Sequence, residues 1–173
     1  MSSDRKKALP RLFATLAIAT AALSLAGCQV RPLYDSTGVT AQRLGALSFS
    51  EANTRVEQVT RNRLIFLTTG GAGEADVADY DVKLDVTSSV TKLLLIDSSD
   101  TARAAQVTVS GTYVLLRKSD NQVLKSGRRA ATALVDYSIQ EFANTRAVRD
   151  AENRAANELA ELIRADIAIA LSH

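Results

Sequence analysis

From Tyr80 to Val86 apolar and polar side chains alternate, with Tyr80, Val82, Leu84 and Val86 set against Asp81, Lys83 and Asp85. A period of two sends successive side chains to opposite faces, so this stretch predicts a strand buried on one side. The pattern returns at Val107, Val109, Tyr113 and Leu115 after the turn-forming "DSSD". A third run, from about Gln122 to Val135, follows "KSDN", another hairpin turn. Elsewhere the period lengthens. Val56, Val59, Leu64 and Leu67 recur at helical spacing behind Thr54 and Glu57, which fit a capping box, and Gly70-Gly71 stops the run. The spacing predicts a helix over about 53–68. Near the C-terminus Val148, Ala151, Ala155, Leu159, Leu162 and Ile163 line one side of a longer helix, over about 142–170, with Arg and Glu opposite. Leu44 to Phe49 predicts a short first strand. The order strand, helix, three strands, helix describes an α+β fold: a mostly antiparallel four-stranded sheet with two amphipathic helices packed on one face.

The first hairpin also predicts its own register. If Asp97–Asp100 form the loop and Ile96 pairs with Thr101, Val82 faces Leu115, Leu84 faces Tyr113, Val86 faces Gly111 and Val90 faces Val107. Carried outward, the same alternation puts Leu93 and Leu95, with Ala102 and Ala104, on the face that holds Asp81, Lys83 and Asp85. Two outcomes are open. A bulge near Lys92 would return the leucines to the core; otherwise these four residues form an apolar patch that marks a partner surface.

The most apolar stretch lies outside this domain. Arg5, Lys6, Lys7 and Arg11 precede "LFATLAIATAALSLAGCQV", residues 12–30, which carries no charge. A basic start, an apolar middle and a small-residue end form a secretory signal layout. A membrane-spanning helix would need roughly 20 apolar residues. Here the strongly apolar part is only Leu12 to Leu25, diluted by Ala, Thr and Ser. Leu25-Ala26-Gly27-Cys28 resembles the lipobox of bacterial lipoproteins, which implies cleavage before Cys28 and acylation of that cysteine. Gln29, rather than Asp, resembles the choice that sends such proteins to the outer membrane. The expected organisation is a lipoprotein signal peptide over 1–27, a lipidated tether over 28–42 rich in turn residues, and one domain over 43–173.

This division changes the meaning of the charge. Removing residues 1–27 takes away four basic residues and Asp4, so the formal +2 becomes −1. The basic balance therefore says nothing about nucleic acid, and eight aromatics with no Trp argue against a base-stacking surface. With its single cysteine acylated, the chain has no internal disulfide, so the domain must be held by packing.

Groups for catalysis are scarce. His173 is the only histidine and the last residue, poorly placed for a triad or a metal site. Asp76, Asp79, Asp81 and Asp85 lack calcium-loop spacing and read as solvated charges. "TGGAG" lacks the lysine and hydroxyl of a phosphate loop. The expectation is no enzyme, no metal and no cofactor beyond the lipid on Cys28. A basic group is more suggestive. Arg117, Lys118, Lys125, Arg128 and Arg129 gather on one hairpin, and arginine can hold phosphate bidentately. Ordinary surface charge explains the same residues.

The lipobox followed by "CQVRPLY", the element order and the closing "EFANTRAVRDAENRAANELAELIRADIAIAL" together resemble the alphaproteobacterial branch of the LPS-assembly lipoprotein family LptE. That resemblance implies an outer-membrane lipoprotein on the periplasmic side that plugs an LptD-type β-barrel, assists its assembly and contacts lipopolysaccharide. It transfers no lipid-contacting residue to a numbered position; the five cations are candidates from their charge alone. The competing expectation is a free periplasmic lipoprotein that binds a ligand or stiffens the envelope.

Overall fold

Three long strands and one long helix give the domain its frame. The computed structural model describes residues 38–96 and 101–172, all within the unit Leu33–His173. Cys28, the signal segment, most of the tether and the loop 97–100 lie outside the described residues. In chain order the elements are α1 (Val39–Gly45), β1 (Leu47–Phe49), α2 (Arg55–Thr69), β2 (Tyr80–Ile96), β3 (Thr101–Arg117), β4 (Gln122–Asp136) and α3 (Glu141–Leu171). The sheet order is β1-β2-β3-β4, with β1 parallel to β2 and the other pairs antiparallel.

Helix α2 starts where its capping residues predict. The Thr54 hydroxyl accepts from the Glu57 amide, the Glu57 carboxylate accepts from the Asn53 amide at 2.8 Å, and Gly70 ends the helix in the left-handed region at φ 65°. Helix α1 is a finding that the pattern did not predict: irregular chain was expected to about residue 42 and a strand from Leu44, but Leu44 and Gly45 belong to the helix and the strand begins only at Leu47. Tertiary contact holds it: Leu44 is buried, and Arg43 donates to the Leu171 carbonyl at the end of α3 at 2.6 Å.

One face of the sheet carries the core. Val82, Leu84 and Val86 of β2, Ala105, Val107, Val109, Tyr113 and Leu115 of β3, and Ala131, Ala133 and Val135 of β4 are buried against α2 and α3. Helix α3 presents Ala151, Ala155, Leu159, Ile163 and Ile167 to them. It sits close because Gly111 has no side chain: a Cβ there would lie 3.1 Å from Leu159 Cδ2 and 3.4 Å from Ile163 Cδ1. The opposite face, rich in Ser and Thr, contains no buried residue among the described side chains of β2, β3 and β4.

The predicted pairs Val82–Leu115, Leu84–Tyr113, Val86–Gly111 and Val90–Val107 are all present, and so is Ile96–Thr101. Near Lys92 the ladder is irregular. Lys92 pairs with Ala105 and Leu94 with Ala104, so Leu93 is an extra residue on β2; Leu95 then pairs with Ala102, leaving Arg103 extra on β3. The two insertions cancel. The expected Leu93–Ala104 pair is therefore replaced by Leu94–Ala104, while Leu95–Ala102 stands.

Candidate functional site

The pleat of the hairpin β3–β4 decides what its five cations can do together. Leu115 pairs with Lys125, Tyr113 with Gly127 and Gly111 with Arg129, so Lys125 and Arg129 lie on the helix-bearing face. Arg128 pairs with Thr112 on the other face. A bulge at Leu124, between the pairs Leu115–Lys125 and Leu116–Val123, sets the phase at this end. Arg117 is engaged in the turn, donating to Asp120 at 3.2 Å and Gln122 at 3.1 Å. Lys118 joins Arg117, Ser119, Ala78, Asp79 and Tyr80 around a shallow cavity of about 440 Å³. The five charges predicted as one patch are thus divided between two faces and a turn.

Arg129 belongs to a small network. Its guanidinium donates to both Asp166 oxygens at 2.7 Å, and the Tyr113 hydroxyl donates to the same carboxylate at 2.7 Å. The hydrogen bonds from Arg129 hold the Asp166 carboxyl below the usual aspartate range, helped by Tyr113 and by the nearby charge of Lys125. Burial is the largest cause that pushes the Tyr113 phenol well above its ordinary value, with the Asp166 carboxylate adding to it. Arg129 is therefore committed to tying α3 to β4, whereas Lys118, Lys125 and Arg128 have no ion pair among the described residues.

A depressed carboxyl makes a signed prediction. Its stabilisation is complete above the unfolded aspartate value of about 3.9 and is lost as pH falls through the lower folded value. Asp166→Ala is expected to cost about 1–3 kcal/mol at neutral pH, because the buried Tyr113 hydroxyl loses its acceptor. The gap to the parent should narrow as the solution is taken below about pH 4. Urea unfolding at a series of pH values measures both, and a gap that widens in acid contradicts the assignment.

The second candidate surface lies at the far end of the sheet, near the hairpin loop. Leu93 is 46% exposed and Val90 43%, and Ala104 is partly exposed. The side chains of Leu95 and Ala102 fall outside the described ones. The structure adds residues that the sequence pattern did not single out. Leu134 is 65% exposed, Phe142 88%, and Ile139 wholly so. They belong to the same end, because Asp136 pairs with Ala104 and Val135 with Ala105. The only sequence signal was negative: Ile139 and Phe142 fit neither the strand period before them nor the helical stripe after them.

Among the described residues no helix is long and apolar enough to cross a membrane. No family model and no curated protein matches the sequence. Solved structures do match the fold. A candidate lipoprotein from Caulobacter crescentus CB15 is similar over 77% of this chain and 96% of its own, with 21% identity and a TM-score of 0.62. Rare lipoprotein B from Shewanella oneidensis is similar over 74% of this chain and 98% of its own, at 12% identity and a TM-score of 0.54. A minor lipoprotein from Acinetobacter baumannii is similar over 71% and 88%, at 14% identity and a TM-score of 0.51. The likeness to these chains is one of fold.

Proposed function

We propose that the protein is an LptE-type outer-membrane lipoprotein, anchored by acyl chains on Cys28, that plugs an LptD-type β-barrel, assists its assembly and contacts lipopolysaccharide. The carrying observation is the fold shared with bacterial lipoproteins such as rare lipoprotein B, in a chain whose "LAGC" motif resembles a lipobox. The role is non-catalytic: a buried apolar face holds two helices, while the other face and the distal end remain open to a partner. The Ser- and Thr-rich outer face suits the hydrated wall of a barrel lumen. At the distal end Leu93, Ile139 and Phe142 supply apolar contact area. Lys118, Lys125 and Arg128 are the cations of the original group that have no ion pair among the described residues and can meet lipid phosphates.

Co-purification after mild detergent extraction tests this reading. A large β-barrel protein and lipopolysaccharide are expected to accompany the full chain. Ile139→Asp combined with Phe142→Asp should lower barrel recovery at least about thirtyfold, since apolar anchors contribute roughly 1–2 kcal/mol each to an interface. The circular dichroism spectrum should stay unchanged. Recovery of the full chain without any barrel would favour the free periplasmic module, and barrel recovery that ignores the double variant would remove the distal end from the interface.

A further inference from the structure

β4 ends the sheet, and its outer edge pairs with no strand among the described residues. The edge is guarded unevenly. Lys125, Arg128 and Arg129 stand along its first half, whereas Ala130 to Val135, "AATALV", carry no charge until Asp136. Proteins ordinarily blunt a free edge with charges or prolines, so an uncharged, β-prone half is an open template for another strand. The Lys118 amide donates to the Asp79 carbonyl, which sets the phase of the ladders: odd-numbered residues of β3 and β4 bond to one another, so even-numbered residues of this segment turn their backbone groups outward, and the Leu134 carbonyl accepts from Arg154 at 3.1 Å. That carbonyl has a second lone pair, so the contact does not close the edge.

The charges at the two ends of the uncharged half say what fits it. Arg128 and Asp136 are equally far from Thr132, both exposed, on the same face, and neither has an ion pair among the described residues. Laid antiparallel across a two-fold axis at Thr132, a second β4 brings Arg128 opposite Asp136 twice. Ala130 then stands opposite the exposed Leu134 twice, and Thr132 opposite itself. Even-numbered residues meet even-numbered ones, so outward backbone groups meet outward backbone groups. We infer that the β4 edge is a self-association surface, on which a second copy of this chain pairs through residues 128–136 to make one continuous sheet. The contact is isologous, so it closes as a dimer and does not propagate. It does not depend on the barrel reading and applies to copies that are not seated in a barrel.

Cysteine cross-linking in membranes that contain the full chain tests the register. Thr132→Cys under mild oxidation is expected to give a disulfide-linked dimer, because directly opposed residues lie within disulfide reach. The parent chain, whose only thiol is Cys28, and Thr87→Cys in β2 should give none. On the Thr132→Cys background, Arg128→Asp or Asp136→Arg should each lower the cross-linked fraction about tenfold, since each converts two attractions into two repulsions. Arg128→Asp together with Asp136→Arg should restore it. Absence of the dimer, a yield indifferent to the single charge changes, or failure of the swapped pair to restore it overturns the inference. Cross-linking of Thr132→Cys to a different protein, with no homodimer, also overturns it and assigns the edge to that partner.

Discussion

Gly127→Val is expected to destabilise the domain by about 3–5 kcal/mol, an effect of the size of deleting a buried aromatic ring. Gly127 pairs with Tyr113 across the β3–β4 ladder, on the face that carries the core. Tyr113 is 1% exposed and leans over the glycine, so a Cβ at position 127 would lie 2.7 Å from its hydroxyl oxygen and 3.0 Å from Cε1 and Cζ. The ring has little room to retreat: Leu115 and Ile163 are fully buried in the same cluster, and the hydroxyl is held by Asp166 at 2.7 Å. A branched side chain must push it out, opening a cavity and breaking the Asp166 network together. For a domain of this length the loss corresponds to a fall in melting temperature of roughly 10–20 °C. Tyr113→Phe removes the atom nearest the intruding Cβ, so on that background the further loss caused by Gly127→Ala should be smaller than in the parent. Melting followed by circular dichroism measures both comparisons. A Gly127→Val chain that melts within about 2 °C of the parent contradicts the close approach on which the argument rests.

Cys28→Ala is expected to abolish lipid attachment altogether, a change of kind rather than degree. A single acyl chain binds a membrane only reversibly, with about 0.8 kcal/mol for each buried methylene, whereas two or more chains together give stable anchoring. Without the thiol there is no acceptor for the lipid, and the signal segment is expected to stay uncleaved. Labelling with a radioactive fatty acid, followed by recovery of the chain from washed outer membranes, reads both results. Equal label in parent and variant would remove the lipoprotein reading while leaving the fold and the β4 edge untouched.

The strands were legible because a sheet with one buried face imposes a period of two on its residues, and β2 and β3 keep that period from Tyr80 to Val90 and from Val107 to Leu115. The register followed from the loop position alone, since antiparallel partners keep a constant sum once one pair is known. The helices were legible for the corresponding reason at a longer period, with Thr54, Glu57 and Gly70 marking ends through local hydrogen bonds and one left-handed residue. Helix α1 was not, because seven residues hold too few internal hydrogen bonds to persist on their own, and Leu44 and the Arg43 bond to Leu171 supply what is missing.

The cations illustrate the limit more sharply. Arg128 and Arg129 are neighbours in the chain, and nearness in sequence suggested a common patch. A pleated strand separates neighbours onto opposite faces, and the Leu124 bulge decides which of them meets α3. Asp166, which takes up Arg129, is thirty-seven residues away and had no reason to be noticed beforehand. The backbone pairing at the distal leucines was settled by the same kind of decision, since paired insertions at Leu93 and Arg103 shifted the register locally and then restored it. The sequence by itself determined the long strands and the two main helices, the alignment of the hairpin as far as Lys92, and that a lipobox-like cysteine precedes the domain. These follow from interactions within a few residues or from strict periodicity. Only the tertiary structure decided which charges are consumed, which apolar side chains stay exposed at the distal end, and which strand edge is left open. Those outcomes depend on which distant segment arrives beside each residue, and no local pattern encodes that.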